Sequence, residues 1–400
     1  MHISLSPRRE LLLLLTLAGI QFTHIVDFMI MMPLGPQLTA LFGISLAEFG
    51  LLVSAYTVAA GISGLFATTF IDRFDRRHLL LALYVLFALS TVACALAPSY
   101  SLLMLARIAS GFFGGVLSAM SQTIIGDVIP FERRGRATGV VMTSFSVATV
   151  AGVPAGLFFA HLWGWHFAFI SIGVLCLLMG VLAFYALPSL KAHMAHGKDK
   201  HMLHAMAQVL REPNQRMALL LSGTMMFAAF TIIPYITLYM QTNHVMGPEE
   251  IPWLYFCGGL VTLVSGRWVG GVTDRLGKRQ TFQRALLFSI VPMFIVTLLE
   301  PMPLVLVLLV TTTLFFAMNA RMIPGMALLT SAANPQFRGT FLSLNGAVQS
   351  FAMGVASWVG GLLLHREPSG HVTHYWMCAV VSACASLLAY KLAYKVKMHT

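Results

Sequence analysis

The chain has 400 residues, 58% of them hydrophobic and only 10% charged, with a formal net charge of +11. A soluble domain carries about 25% charged residues, so this composition excludes a chain that covers its surface in water and leaves lipid as the solvent. The positive charge is not a nucleic-acid signal, because it falls on short loops between apolar runs.

About twelve such runs follow one another, each close to the roughly 20 residues that cross the hydrocarbon as a helix. In the first half they lie near 11–34, 46–70, 78–97, 101–125, 137–160 and 166–187. In the second half they lie near 215–240, 250–272, 283–300, 303–330, 339–364 and 373–394. They leave no stretch for a separate soluble domain.

The first run follows Arg8 and Arg9, but no small-residue cleavage site comes after it, so it is expected to stay as a helix. Deep inside it lies Asp27, flanked by Val26, Phe28, Met29 and Ile30. A carboxylate at that depth costs several kcal/mol unless it is protonated or faces a polar space. Asp27 is therefore a proton-relay candidate, with a structural ion pair as the alternative. His24 stands one helical turn earlier, within reach of the same face.

The second run ends in Thr68-Thr69-Phe70-Ile71-Asp72-Arg73-Phe74-Asp75-Arg76-Arg77. The fourth run holds a buried cation, Arg107, followed by small residues at 110, 111, 114 and 115 that permit close helix packing. Arg107 needs a partner, and Asp27 is the nearest unassigned carboxylate. Gln122, further along the same run, is a substrate-cavity candidate. The run leads into Asp127-Val128-Ile129-Pro130-Phe131-Glu132-Arg133-Arg134-Gly135-Arg136, and the fifth contains Gly152-Val153-Pro154-Ala155-Gly156.

A polar stretch near 188–214 joins the halves, with Lys191, His193, His196, Lys198, Asp199, Lys200, His201 and His204. Two readings stand for it. His201 and His204 share a helix face suited to a metal, or the stretch is a solvated basic linker against anionic headgroups. The five cysteines (Cys94, Cys176, Cys257, Cys378 and Cys384) fall in apolar runs without metal-ligand spacing. Neither metal nor cofactor is expected.

The seventh run carries Phe227, Phe230, Pro234, Tyr235 and Tyr239. The eighth ends in Gly266-Arg267-Trp268-Val269-Gly270-Gly271-Val272-Thr273-Asp274-Arg275-Leu276-Gly277-Lys278-Arg279. The tenth holds Asn319-Ala320-Arg321-Met322-Ile323-Pro324-Gly325. Arg321 has no acid in its own run, which makes it, with Asn319, Tyr235 and Tyr239, a candidate to meet a substrate.

Laying Asp72 on Asp274 reveals a repeat. Gly135 then falls near Gly339 of Asn334-Pro335-Gln336-Phe337-Arg338-Gly339, and setting those two together brings Gly156 onto Gly360. The chain thus reads as two copies of one helical bundle, the architecture of secondary transporters. The expected division is 1–187 and 215–400, with 188–214 as a linker. Loop Lys and Arg residues gather on one side, leaving Arg366 alone on the other, so both termini are expected in the cytoplasm.

On these motifs the chain resembles the major facilitator superfamily along essentially its whole length, and most closely its bacterial drug:proton antiporter and sugar-efflux branch. The loop signature of that family, Gly-x-x-x-Asp-Arg-x-Gly-x-Arg/Lys, is intact at Gly270, Asp274, Arg275, Gly277 and Arg279. The amino-half copy keeps Asp72, Arg73 and Arg77 but has Thr68 and Asp75 in place of glycines. Gly152, Pro154 and Gly156 resemble the antiporter signature of the fifth helix, while Trp358 stands where its counterpart would have proline. Gly164-Trp165-His166-Phe167 resembles the Gly-Trp-Arg turn before the sixth helix. The resemblance implies an all-α membrane protein, with twelve transmembrane helices in two pseudo-symmetric bundles. It assigns Arg107 to proton coupling and turns Asp27 and Arg107 toward a central cavity.

Independently of the family, a carboxylate at Asp72 can pair with loop arginines and with the positive end of a neighbouring helix. Such contacts would form a cytoplasmic gate, joined by Asp127, Glu132 and Arg133; the alternative is that these charges only anchor loops in the headgroups. The expectation is a monomeric, proton-coupled exporter of a small organic or amphipathic molecule in a bacterial inner membrane. It would touch its substrate, protons and the lipid bilayer, and no nucleic acid. The alternative is a proton- or ion-coupled uptake symporter of an organic anion or sugar. A more remote one is a membrane sensor or enzyme, for which neither a nucleophile-base arrangement nor an output domain is seen.

Overall fold

The computed structural model describes residues 6–188 and 202–398, without the side chains of Pro7, Thr68, Thr69, Phe70, Asp72, Phe131, Glu132, Met202, Leu203 and Pro335. The histidines at 193, 196 and 201 lie outside the described residues. Polar and apolar residues are distributed opposite to those of a water-soluble protein. Leu89, Val174, Leu177, Val264 and Leu309 are exposed, whereas Asp27, Arg107, Gln215 and Arg321 are buried. A lipid surround accounts for this, because helices satisfy their own backbone groups and need only apolar side chains on the outside.

The chain divides into two compact units: Met1–Ile30 with Ala59–Lys200, and Met31–Val58 with His201–Thr400. In the first unit α1 (Pro7–Ile30) packs with α4 (Arg76–Ala95), α5 (Tyr100–Val128), α6 (Phe131–Val147), α7 (Val153–Trp163) and α8 (His166–Ala186). Residues of α3 (Leu46–Phe70) from Ala59 onward belong here, and its earlier residues to the second unit. Between α6 and α7 the helix widens into a π-turn at Ala148–Gly152. Pro154 explains the widening, since its ring lacks an N–H and clashes with the carbonyl four residues back.

The second unit holds α2 (Gly35–Phe42), α9 (Met202–Arg211), α10 (Pro213–Phe230), α11 (Ile236–Thr242) and α12 (Ile251–Leu276). It continues through α13 (Lys278–Thr297), α14 (Leu304–Ala332), α15 (Arg338–Leu363) and α16 (Tyr375–Lys395). A two-stranded antiparallel hairpin, β1 (His365–Arg366) with β2 (Val372–Thr373), precedes α16.

The expected runs appear as helices with three differences. The first ends at Ile30 rather than near 34, and a turn leads into α2. The seventh is broken by a 3-10 turn at Ile233–Tyr235, where Pro234 interrupts the helical ladder. The linker region contains α9. Among the described residues eleven helical segments are long and apolar enough to cross a membrane. The remaining run is α12, 26 residues long, whose Arg267, Asp274 and Arg275 lower its apolarity. With it the spans number twelve.

Candidate functional site

In the first unit, Arg107 Nη1 donates to Asp27 Oδ2 at 3.0 Å and to the Asp27 main-chain oxygen at 3.1 Å. Asp27 lies in the last turn of α1, where carbonyls lack an i+4 amide. One guanidinium therefore meets both a carboxylate and the negative end of a helix. Both side chains are 0% exposed. Thr91 and Cys94 of α4, Ser110 of α5 and His24 lie close around the pair. His24 presents its ring edge-on to Phe87 at 6.1 Å. In this structure the pair is enclosed among α1, α4 and α5. Burying two charges is costly, and removing one partner of such a pair typically costs 3–5 kcal/mol.

The helix-five glycines pack against the same helix α1. A Cβ on Gly156 would stand 2.8 Å from Ile30 Cδ1, and one on Gly152 would come 3.0 Å from the Phe22 ring and closer still to Val26. A side chain at either position would force residues of α1 close to Asp27 to shift.

Among the described residues the basic loops make a network of caps and ion pairs. The side chain of Asp72 lies outside those described, and Arg73 is exposed. Asp75, where the signature has glycine, caps α4: its carboxylate accepts from Arg77 N at 3.1 Å and contacts His78 Nδ1 at 2.7 Å. Asp127 pairs with Arg76, which is only 5% exposed. Arg133 pairs with Glu10 at 3.0 Å. Arg134 donates to the Gly126 and Ile129 carbonyls, closing the end of α5. Arg77 donates to the Phe184 carbonyl at 2.6 Å, with its guanidinium 5.3 Å from the Phe184 ring.

In the carboxyl-half copy, Gly277 takes φ +87°, a left-handed conformation that favours glycine, and separates α12 from α13. Arg279 donates to the Val396 carbonyl at 2.6 Å, and Lys278 to Ser331 Oγ at 2.5 Å. Asp274 and Arg275 are exposed and make no ion pair among the described residues. Gly270 faces open space. Arg279 turns to the end of α16 rather than to Asp274.

The substrate-cavity candidates do not converge. Arg321 is 1% exposed, with Nη1 3.3 Å from Ser386 Oγ and Nη2 3.5 Å from the Met225 carbonyl. Its Nε has no hydrogen-bond partner among the described residues. Asn319, two residues away, turns to the other side of α14 and donates to Thr262 O and Ser265 Oγ, each at 3.1 Å. Tyr235 donates to the Ser357 carbonyl and fills the space left by Gly50, Gly360 and Gly361. Tyr239 donates to Leu299 O at 3.1 Å and packs at a 39° tilt against the Tyr375 ring. Gln122 is exposed on α5. A cavity of about 340 Å³ in the second unit is lined by Ile44–Ala47, Gly361, Leu362 and Leu364–Arg366, and by none of these candidates.

Sequence reasoning missed Arg76, Glu10 and Gln349. Gln349 joins α15 to Ser222 of α10 at 2.9 Å. The available signal was a pair of amides, Asn345 and Gln349, one helical turn apart in an apolar run. In the linker, His204 contacts Gln208 across one helical turn at 2.8 Å.

A family model described as Major Facilitator Superfamily matches residues 17–357. The uncharacterized MFS-type transporter YbcL of Bacillus subtilis (strain 168) is 23% identical over 88% of this chain and 89% of its own. A chloramphenicol resistance protein of Streptomyces lividans is 24% identical over 89% of each chain. A probable sugar efflux transporter of Helicobacter pylori (strain G27) is 22% identical over 82% of this chain and 81% of its own. Among solved structures, a D-xylose-proton symporter superposes with a TM-score of 0.79 at 19% identity, covering 98% of this chain and 100% of that one. A bacterial homologue of the human lysosomal transporter Spinster, inward-facing and occupied, gives 0.78 at 16% identity, with 98% and 97% covered.

Proposed function

The chain belongs to the major facilitator superfamily and is a multi-pass secondary transporter rather than an enzyme, and on that premise we propose that it exports a small organic molecule in exchange for protons. The observation that carries the reading is the enclosed Asp27–Arg107 pair. A carboxylate buried beside a guanidinium has two states, charged and paired or protonated and released, and alternating access needs such a two-state element. Gly152 and Gly156 set α1 against the π-turn of the fifth span, so a change at Asp27 bears on that contact. The name of the Helicobacter relative describes sugar efflux for that protein, and that of the Streptomyces relative chloramphenicol resistance. The protein would work as a monomer with both termini in the cytoplasm. Arg321, the buried cation whose bonds are long and incomplete, would meet an anionic or carbonyl group of the substrate.

Flux in proteoliposomes under an imposed pH gradient, screened across drugs, sugars and organic anions, tests the proposal. Uphill movement opposite to the proton gradient supports export by exchange. Movement in the same direction as protons would assign the chain to uptake symport instead.

A further inference from the structure

At the helix ends opposite the arginine-rich loops, the end of α11 is fastened to the hairpin residue by residue. Tyr239 packs at a 39° tilt against Tyr375, the first residue of α16 just after the hairpin, with centroids 4.9 Å apart. The Asn243 side chain then acts as a strand, donating to Val372 O and accepting from Val372 N, both at 2.9 Å. One residue further, the rings of His244 and His371 face each other with centroids 5.6 Å apart at 72°.

His244 is placed there by an unusual helix end. Val245 N bonds to Met240 O and His244 N to Gln241 O, the double bond pattern that closes a helix with a left-handed residue. That residue is usually glycine, yet here it is His244 at φ 55°. His244 is exposed and His371 half-buried, so both rings reach solvent. Neither ring makes a hydrogen bond with another described residue.

We infer that His244 and His371 form a two-histidine site for a divalent transition ion of the Zn²⁺ class, which clamps the end of α11 to the hairpin. With Zn–N bonds near about 2.0–2.1 Å and tetrahedral angles, two imidazole centroids on one ion stand roughly 5 Å apart. The observed 5.6 Å needs only a small closure. Among the described residues no group of three or more His, Cys, Asp or Glu gathers to hold a metal. Water therefore fills the other positions, and the ion is exchangeable. The neighbouring charged groups are engaged elsewhere: Arg366 reaches Thr39 Oγ1 at 3.4 Å, and Glu367 accepts from Ser369 Oγ at 3.3 Å. The second histidine pair, His365 and His374, is wider at 6.2 Å and stays within the hairpin region.

The test is Zn²⁺ titration of the purified full-length chain by calorimetry, with thermal unfolding of the same samples. His244→Gly suits the left-handed position, so its fold is expected to survive or gain. Wild type should bind one more Zn²⁺ equivalent than His244→Gly or His371→Ala, and the double variant should lose no more than either single one. His374→Ala should keep the full number. Zn²⁺ should raise the unfolding temperature of wild type and His374→Ala more than that of the other two. Equal stoichiometry in wild type and His244→Gly, or an equal loss in His374→Ala, would overturn the assignment.

Discussion

Arg279 and Val396 are joined by a 2.6 Å hydrogen bond from the guanidinium to the carbonyl, with the Tyr394 ring 5.7 Å from the same charge. Arg77 repeats the arrangement in the first unit with the carbonyl and ring of Phe184. In each unit the last arginine of the loop signature thus closes the end of that unit's final helix. A cation there satisfies a terminal carbonyl and complements the helix dipole. The motif has a structural task in each half, apart from any gate.

Removing this clamp is expected to loosen both units. A hydrogen bond to a charged group contributes about 1.5–3 kcal/mol, and partial exposure places these at the lower end. Arg279→Ala and Arg77→Ala should each unfold at lower temperature in detergent, and Arg→Lys should restore only part, because lysine lacks the flat face that stacks on the ring. Unchanged unfolding in both alanine variants would reduce the arginines to headgroup anchors.

A double-mutant cycle separates the parts of the buried pair. Arg107→Gln strands the Asp27 carboxylate and should destabilise by about 3–5 kcal/mol, whereas Arg107→Gln with Asp27→Asn should recover most of that loss. Chemical unfolding of the four proteins gives the coupling. Additive losses would mean that the two side chains act independently.

Gly156→Ala should cost about 1–3 kcal/mol by overpacking against Ile30. The end of the Ile30 side chain is the obstacle, so adding Ile30→Ala should relieve the strain. Gly152→Ala should be worse tolerated, since it meets the stiff, branched Val26 as well as Phe22. Thermal stability of these variants reads out the order.

For Arg321, the proposed substrate role predicts that Arg321→Ala weakens substrate binding more than proton flux. Equilibrium binding and flux on the same preparation distinguish the two. Equal losses would return Arg321 to a purely structural place between Ser386 and Met225.

The helical framework was legible because apolar runs near membrane length leave few alternatives, and because Asp72 and Asp274 mark the same seam in two copies. The Asp27–Arg107 pair was legible for a related reason: deep charges are expensive, so each implies a partner. The loop partners were not legible. Arg76, Arg77 and Arg133 are equivalent in sequence, and which one meets Asp127, Phe184 O or Glu10 depends on helix ends brought together in space. Asp75 looked like a defect in the signature, yet its side chain caps α4. Asn319 and Arg321 seemed to be neighbours, although two residues on a helix point to nearly opposite sides.

Substrate flux through Asp27→Asn in proteoliposomes bears most directly on proton coupling at the buried pair. Asparagine preserves the shape and the hydrogen-bonding oxygen but cannot give up and take back the proton. The variant should exchange labelled for unlabelled substrate across the membrane at a rate similar to wild type, yet fail to accumulate it when a pH gradient is imposed. Gradient-driven accumulation at wild-type levels and with wild-type pH dependence would contradict the account, since the proton would then travel by another group.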